Sequence, residues 1–191
     1  MEETLFRYLD DYIKLTEEEQ QAVINLNIFK HYKKNDLLFK EGEYTNKYYF
    51  ILKGCIKCYY LVDGEEKIIE FYTELDGYTP TSTVNHEPSK LYASCIEESI
   101  MVVSTSEMED KIFKEFPRFE TLCRKLSEEL MVKKQFDFES YKSTSPEERY
   151  LGLMKHRPDL IQRIPQYQLA SYLGIKPESL SRIRKRLASQ I

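Results

Sequence analysis

The residues best suited to chemistry in this chain lie between residues 178 and 186, where charged and polar side chains recur at helical spacing. Arg182 can donate two parallel hydrogen bonds to guanine O6 and N7, and Glu178 can accept one from cytosine N4. At about 100° per residue, both lie on one helix face. Serine hydroxyls and basic side chains also bind phosphate, which adds affinity without reading sequence. We therefore predict DNA contacts from Glu178, Ser179, Ser181, Arg182, Lys185 and Arg186.

Residues 163–187 have the pattern of a helix-turn-helix that would position this face. A first short helix is predicted from about 165 to 173, and Gly174 can take the positive φ that a sharp turn needs. Pro177 suits the first turn of a second helix, and Ala170 is small where the helices would approach. An apolar stripe would pack the second helix onto the first: Leu180, Ile183 and Leu187. A surface helix with a solvated basic face is the alternative, but the combined pattern favours DNA binding.

The net charge of −4 argues at first against a nucleic-acid-binding protein. Its distribution reverses that argument. From residue 145 onwards there are nine Lys/Arg and four Asp/Glu, a net charge of +5, which leaves −9 for the preceding residues. A basic module joined to an acidic body fits a DNA reader that carries a separate sensor or partner domain.

Composition and length are those of an ordinary globular protein of 191 residues, enough for two small domains or one large one. No run of about 18 apolar residues occurs, so we expect no membrane span. The acidic start lacks a signal-peptide pattern, and a cytoplasmic location is therefore predicted. Four cysteines suit reduced thiols in that compartment: Cys55, Cys58, Cys95 and Cys123.

The fold class predicted is α+β, with an N-terminal antiparallel jelly roll or barrel and flanking helices. Helices are expected over residues 3–26, with a capping box at Thr16 and Glu19. Residues 28–103 then read as short strands separated by turns, and Asp63-Gly64 is a strong signal for a tight hairpin. The DNA-binding domain is expected to be a winged-helix-like helix-turn-helix.

A long helix is predicted over residues 117–141 because apolar residues repeat at spacings of three and four. Such a helix between a barrel and a DNA module favours pairing with a second copy, and packing against its own barrel is the alternative. The predicted domains are a sensor barrel (1–116), a dimerisation helix (117–141) and a DNA-binding domain (145–191). The dimer seam is expected to contain Phe119, Leu122, Leu126 and Leu130.

Catalytic and metal sites are not predicted. His31, His86 and His156 are far apart in sequence, whereas metal-dependent jelly-roll enzymes cluster histidine and carboxylate ligands on neighbouring strands. Cys55 and Cys58 have metal-like spacing, but residues three apart on a strand point to opposite faces. A redox-sensing thiol stays open. We expect no enzyme activity, no cofactor and no metal.

Three stretches together resemble the Crp/Fnr superfamily of bacterial transcription regulators. Residues 39–43 with 49–54 are similar to the family's barrel signature, the long helix occupies the place of its dimer helix, and residues 164–187 resemble its helix-turn-helix. The resemblance implies a homodimer that reads a roughly palindromic operator in double-stranded DNA, with RNA polymerase as a further partner. It also implies that Glu178 and Arg182 read bases and that Ser179 contacts phosphate.

The chain departs from the members of the superfamily that bind cyclic nucleotides. Those members place a Gly-Glu pair and an Arg-Ser pair between the later strands, where the Arg neutralises the cyclic phosphate. Here no Arg occurs between Arg7 and Arg118, and Lys90 supplies a point charge without a bidentate fork. We expect no ordinary cyclic-AMP binding, and the barrel senses another small-molecule effector or none. Candidate pocket residues are Gly77, Tyr78, His86, Ser89, Lys90 and Tyr92.

The other function considered is an effector-binding or protein-interaction module with little DNA-reading activity. A non-basic recognition helix would favour it, whereas the helix here is basic. The sequence names neither the operator nor the effector, and it does not distinguish an activator from a repressor.

Overall fold

The computed structural model describes residues 1–189, and these form two compact units that are described separately. The first unit comprises residues 1–58 and 71–131, and the second comprises residues 59–70 and 132–189. The boundary therefore falls inside the long helix, and part of a strand hairpin groups with the second unit. The predicted DNA-binding domain ends at residue 191, and residues 190 and 191 lie outside the described part.

The first unit contains strands in two sheets with helices around them. Its helices are α1 (Glu2–Leu9), α2 (Glu17–Asn25), α3 (Thr81–Asn85), α4 (Ser106–Glu115) and the first part of α5 (Arg118–Ser143). Its strands are β1 (Phe29–Tyr32), β2 (Leu37–Phe39), β3 (Lys47–Lys53), β6 (Gly77–Tyr78), β7 (Tyr92–Cys95) and β8 (Ser99–Thr105). Strands β4 (Ile56–Val62) and β5 (Glu65–Tyr72) run through both units.

The two sheets have the strand orders β1-β8-β3-β6 and β2-β7-β4-β5, and the registered pairs are antiparallel. Inward-facing residues from both sheets form one apolar core, as alternation along half-buried strands requires. This core contains Phe39, Tyr49, Ile51, Ile56, Cys58, Tyr78, Ala93, Cys95, Met101 and Val103. The predicted antiparallel barrel with flanking helices is confirmed.

Two local sequence signals act as predicted. Thr16 Oγ1 accepts a hydrogen bond from the Glu19 backbone N–H, and the Glu19 carboxylate accepts one from the Thr16 N–H (3.2 and 2.7 Å), which completes the capping box of α2. At the β4–β5 turn, Asp63 and Gly64 both have positive φ (52° and 80°), as a two-residue type I′ hairpin requires.

A second apolar core lies between the helices and the β1-β8-β3 sheet. Side chains of α1, α2, α4 and α5 cover the face of this sheet that points away from the barrel interior. Phe119 and Leu122 of α5 belong to this core and are 5% and 4% exposed. The first turns of α5 therefore pack against their own chain.

The second unit consists of the hairpin segment 59–70, the later part of α5 and four short helices. These helices are α6 (Pro146–His156), α7 (Pro158–Arg163), α8 (Gln166–Tyr172) and α9 (Pro177–Ala188). A second capping box, between Ser145 and Glu148, begins α6. Residues 145–189 contain no β-strand, so the predicted wing is not part of the described domain. Across residues 1–189, no helix combines the length and the apolar character that crossing a membrane requires.

Gly54 allows the chain to pass close to Ser99 in the first unit. Its φ is +103°, and a Cβ added there would lie 2.2 Å from Ser99 Oγ and 2.7 Å from Ser99 Cα. Such distances are far below van der Waals contact, so a side chain at residue 54 requires the backbone of Ser99 to move.

We predict that Gly54→Ala lowers the free energy of unfolding by about 2–5 kcal/mol, since backbone strain and overpacking add together. The matched control is Gly42→Ala, because Gly42 also has positive φ (+83°) but has no atom within 4 Å of an added Cβ. We expect the control to lose about 1–2 kcal/mol, from backbone strain alone. Urea unfolding measures both values, and equal losses would contradict the role of the close approach.

Candidate nucleic-acid interface

The turn between α8 and α9 has the geometry that the sequence pattern predicts. Leu173 ends α8, Gly174 follows with φ +72°, and the Ile175 N–H donates to the Ala170 carbonyl oxygen at 3.0 Å. Pro177 occupies the first turn of α9. Ala170 on α8 and Leu180 on α9 are both fully buried.

Arg149, on α6, contacts the residues of this turn. The sequence analysis did not identify it. Its guanidinium lies 3.7 Å from the ring centre of Tyr141, a cation–π contact. It donates to the carbonyl oxygens of Leu173 (3.2 Å) and Thr144 (2.9 Å). The positive charge thus satisfies a carbonyl at the C-terminal end of α8, where a cation is favourable. A Cβ at Gly174 would lie 2.9 Å from the Tyr141 hydroxyl, so a side chain there requires Tyr141 to shift, in addition to the strain of a positive φ.

The β4–β5 hairpin segment of the same unit binds the opposite side of α8. Ser171 Oγ accepts from the Ile68 N–H and donates to the Glu66 carbonyl oxygen, both at 3.0 Å. Gln168 Nε2 donates to the Glu66 carboxylate at 3.1 Å. These bonds join residues about one hundred positions apart in sequence, and they orient α8 without using its connection to α9.

Two further contacts centre on Glu70 of the hairpin. Its carboxylate forms an ion pair with Lys134 of α5 at 2.8 Å. The Tyr172 hydroxyl donates a hydrogen bond to the Glu70 carboxylate. Burial and this negatively charged neighbour raise the pKa of Tyr172 above its ordinary value. The Tyr172 hydroxyl is therefore a stable neutral donor at physiological pH.

The predicted DNA-reading face of α9 is open to solvent. Glu178, Ser181, Arg182, Lys185 and Arg186 are exposed, and Ser179 is half-buried. The buried side of the helix is formed around Leu180. A face of this composition can present donors and one acceptor to base edges while its flanking cations approach phosphates.

Two of the basic side chains on this face have partners within the second unit. Arg182 donates to Ser179 Oγ at 3.3 Å. Arg186 forms a close ion pair with Glu147 of α6. Arg186 therefore also connects α9 to α6, in addition to its predicted role towards phosphate.

The candidate effector residues of the first unit differ in their exposure. Tyr78 is buried in the barrel core, with its ring centre 4.7 Å from that of Tyr72 and 6.1 Å from that of Phe39. Ser89 is buried as well and its hydroxyl donates to the Leu91 carbonyl oxygen at 2.9 Å, within its own loop. The remaining candidates are exposed or half-buried around these two: Gly77, His86, Lys90 and Tyr92.

The four cysteines differ in burial, and two of them have thiols with a raised pKa. Cys55, Cys58 and Cys95 are buried in the first unit, and burial raises the pKa of the Cys95 thiol to about 11. The same cause raises the pKa of Cys123 to about 11. The thiolate forms of Cys95 and Cys123 are therefore scarce at neutral pH. Within residues 1–189, no group of three or more His, Cys, Asp or Glu side chains is placed to hold a metal ion.

The predicted dimer seam divides into a covered and an open part. Phe119 and Leu122 pack into the second core of the first unit, and Leu126 packs partly against it. Leu130 is half-buried. Large apolar side chains are instead exposed further along α5: Met131, Val132, Phe136, Phe138 and Tyr141. The exposed apolar area of α5 therefore lies beyond most of the residues predicted for the seam.

Residues 29–123 match the family model described as a cyclic nucleotide-binding domain. By sequence, no curated protein matches this chain significantly. Among solved structures, the chain is similar to FixK2 from Bradyrhizobium japonicum, with a TM-score of 0.65 and 20% identity over 85% of this chain and 84% of that one.

Two other solved structures have similar scores. The c-di-GMP-responsive global regulator CLP from Xanthomonas campestris has a TM-score of 0.63 and 12% identity, covering 89% of this chain and 92% of that one. A CooA mutant from Carboxydothermus hydrogenoformans has a TM-score of 0.62 and 13% identity, covering 85% and 76%. The resemblance to the Crp/Fnr superfamily is thereby confirmed, and this chain has its fold.

Replacing Arg149 tests the support of the turn. We predict that Arg149→Met lowers the free energy of unfolding by about 1–3 kcal/mol, because it removes the cation–π contact and two charged hydrogen bonds. It should also speed amide exchange at residues 173–176. Lys155→Met is the matched control, since it removes one positive charge from an exposed position of α6. Exchange at the turn that rises equally in both variants would rule out the assigned role of Arg149.

Proposed function

We propose that this chain, which has the Crp/Fnr fold, is a sequence-specific DNA-binding transcription regulator. It acts as a homodimer on a palindromic operator, in the cytoplasm, with RNA polymerase as a further partner and without enzymatic activity. Structural neighbours of the regulator class support this assignment at the general level.

The observation that carries the proposal is the exposed face of α9 on a well-formed helix-turn-helix. Arg182 is exposed and can donate to guanine, and Glu178 is exposed and can accept from cytosine N4. Lys185 and Arg186 flank them as phosphate contacts, and Ser179 and Ser181 add hydroxyl groups. The net charge of +5 from residue 145 onwards supplies the sequence-independent attraction to DNA.

The exposed apolar part of α5 supports the proposed dimer. Val132 and Phe136 are four residues apart, lie on the same side of α5 and are 65% and 69% exposed, and an exposed apolar pair of this kind indicates an interaction surface. Pairing with a second copy would cover this pair and present two α9 helices to successive major grooves. We therefore place the main dimer contacts at residues 131–141, with Leu126 and Leu130 at their margin.

Cyclic AMP is not the effector in this proposal. A cyclic phosphate needs a bidentate cation, and between Arg7 and Arg118 the chain offers lysines alone. Tyr78, at the position where the sequence suggested a pocket, occupies the barrel core with its neighbouring rings. A regulator that responds to another small molecule fits both facts.

Selection of bound duplexes from a random DNA pool tests the function. Purified protein at near-physiological salt is expected to enrich a palindrome whose half-sites are about 10 base pairs apart, one turn of DNA. A pool that stays unenriched in the presence and absence of cell-extract metabolites would contradict the proposal and favour a module that does not read DNA.

Two variants then separate base reading from phosphate binding on the selected site. Arg182→Ala should cost about 1–3 kcal/mol and relax the preference at one base pair in each half-site. Lys185→Ala should weaken binding to all sequences alike and reduce the salt slope by about 1. Competition binding at several salt concentrations measures both. If the two variants behave identically, the assigned roles are wrong.

Phe136→Glu tests the dimer surface. A charge in a buried apolar contact is unfavourable, so we expect the dimer dissociation constant to rise at least about tenfold. Gln135→Glu places the same charge on the adjacent, exposed and polar residue of α5 and should leave the dimer intact. Sedimentation velocity over a concentration series gives both constants. Unchanged association in Phe136→Glu would move the interface elsewhere.

A further inference from the structure

A cavity of about 200 Å³ lies within the second apolar core of the first unit. It is bounded by the outer face of the β1-β8-β3 sheet and by α1, α2, α4 and α5. Apolar side chains form nearly all of its wall, among them Leu5, Val23, Phe50, Val102, Met108 and Phe119. The six effector candidates suggested by the sequence are not among the residues that line it.

The size and lining of this cavity match a small ring compound. A cavity of about 150 Å³ lined by Leu, Ile and Phe stays dry and binds benzene. A space of about 200 Å³ with similar walls therefore accommodates a benzene ring with one or two substituents. Water binds weakly in such a cavity, because the apolar walls offer it few hydrogen-bonding partners.

One polar pair interrupts the apolar wall. Ser104 on β8 donates to Glu109 Oε1 on α4 at 2.9 Å, and both residues line the cavity. A carboxyl group has further acceptor sites beyond the one that Ser104 uses. Burial raises the pKa of Glu109, so this environment disfavours charge, in the protein and in a ligand alike.

We propose that this cavity binds a small, uncharged, mainly apolar molecule with one hydroxyl group, whose hydrogen bond the Glu109 carboxyl accepts. The proposal rests on the cavity and its polar pair, and it does not depend on DNA binding. A ligand here would also contact Phe119, Leu122 and Leu126, and would therefore stabilise the first part of α5.

Cys123 provides a local reporter, because it lines the cavity and is half-buried, whereas the other three cysteines are buried elsewhere in the first unit. The experiment uses the full chain and p-cresol as the probe. Alkylation by N-ethylmaleimide at pH 8.5 is followed at each cysteine by mass spectrometry. Saturating p-cresol is expected to slow modification of Cys123 at least about fivefold and to leave the other three rates unchanged.

Toluene tests the hydrogen bond, since it has the same shape without the hydroxyl group. We expect p-cresol to bind the unmodified chain at least as tightly as toluene, although water solvates p-cresol better. Glu109→Leu should weaken p-cresol binding about fivefold, the value of one ordinary hydrogen bond, and should not weaken toluene binding. Ligand-observed NMR titrations give the four dissociation constants.

Val102→Phe, which fills the cavity, should abolish binding of both compounds, with circular dichroism as the check on folding. If this variant does not fold, Cys123 protection and the Glu109→Leu comparison decide. The proposal is overturned if p-cresol slows all four cysteines equally or none of them. It is also overturned if raising the protein concentration alone protects Cys123, because a second copy would then cover the cavity.

Discussion

The close approach of α8 and α9 is the constraint on which the predicted DNA-reading face of α9 depends. Ala170 is fully buried at the contact, and its carbonyl oxygen accepts the Ile175 N–H across the turn. Protein interiors are packed densely enough that one added methylene is felt, so a larger residue would push the helices apart. Gly174 is restricted by its positive φ and by the Tyr141 hydroxyl. The direction of α9 therefore depends on a small side chain at Ala170 and on the backbone conformation at Gly174.

A domain of this size needs support from outside its own helices. Residues 145–189 are close to the length below which a single core is rarely sufficient. The remaining parts of the second unit supply what is missing, through polar contacts on two sides of α8. Arg149 and Tyr141 hold its C-terminal end, and Ser171 joins it to the hairpin. Partly buried hydrogen bonds of this kind orient a helix more specifically than apolar packing does.

Features encoded over a few residues could be predicted from the sequence. The turn at Gly174, the hairpin at Asp63-Gly64 and the capping box at Thr16 each depend on the conformational preference of one or two residue types. The exposed face of α9 followed from helical periodicity. Local signals of this kind predicted where the helix-turn-helix lies and which side of α9 is exposed.

Features that join distant residues could not be predicted in this way. The bonds between Ser171 and the hairpin span more than one hundred residues, and neither partner carries a local signal. The same limit affected α5, where the spacing of Phe119 and Leu122 identified an apolar face but not what covers it. In the structure, the covering elements are helices of the same chain. Periodicity shows that a face is buried, and the tertiary fold decides by which partner.

The packing of the first unit also decides where a small molecule can enter it. Inside the barrel, Tyr78 is surrounded by other aromatic rings, and a ligand at that position would have to displace them and lose their contacts. Between the helices and the sheet, the cavity is already present, and a small ligand can occupy it without displacing a side chain. The aromatic rings fill the barrel core, whereas the layer between the helices and the sheet contains the cavity.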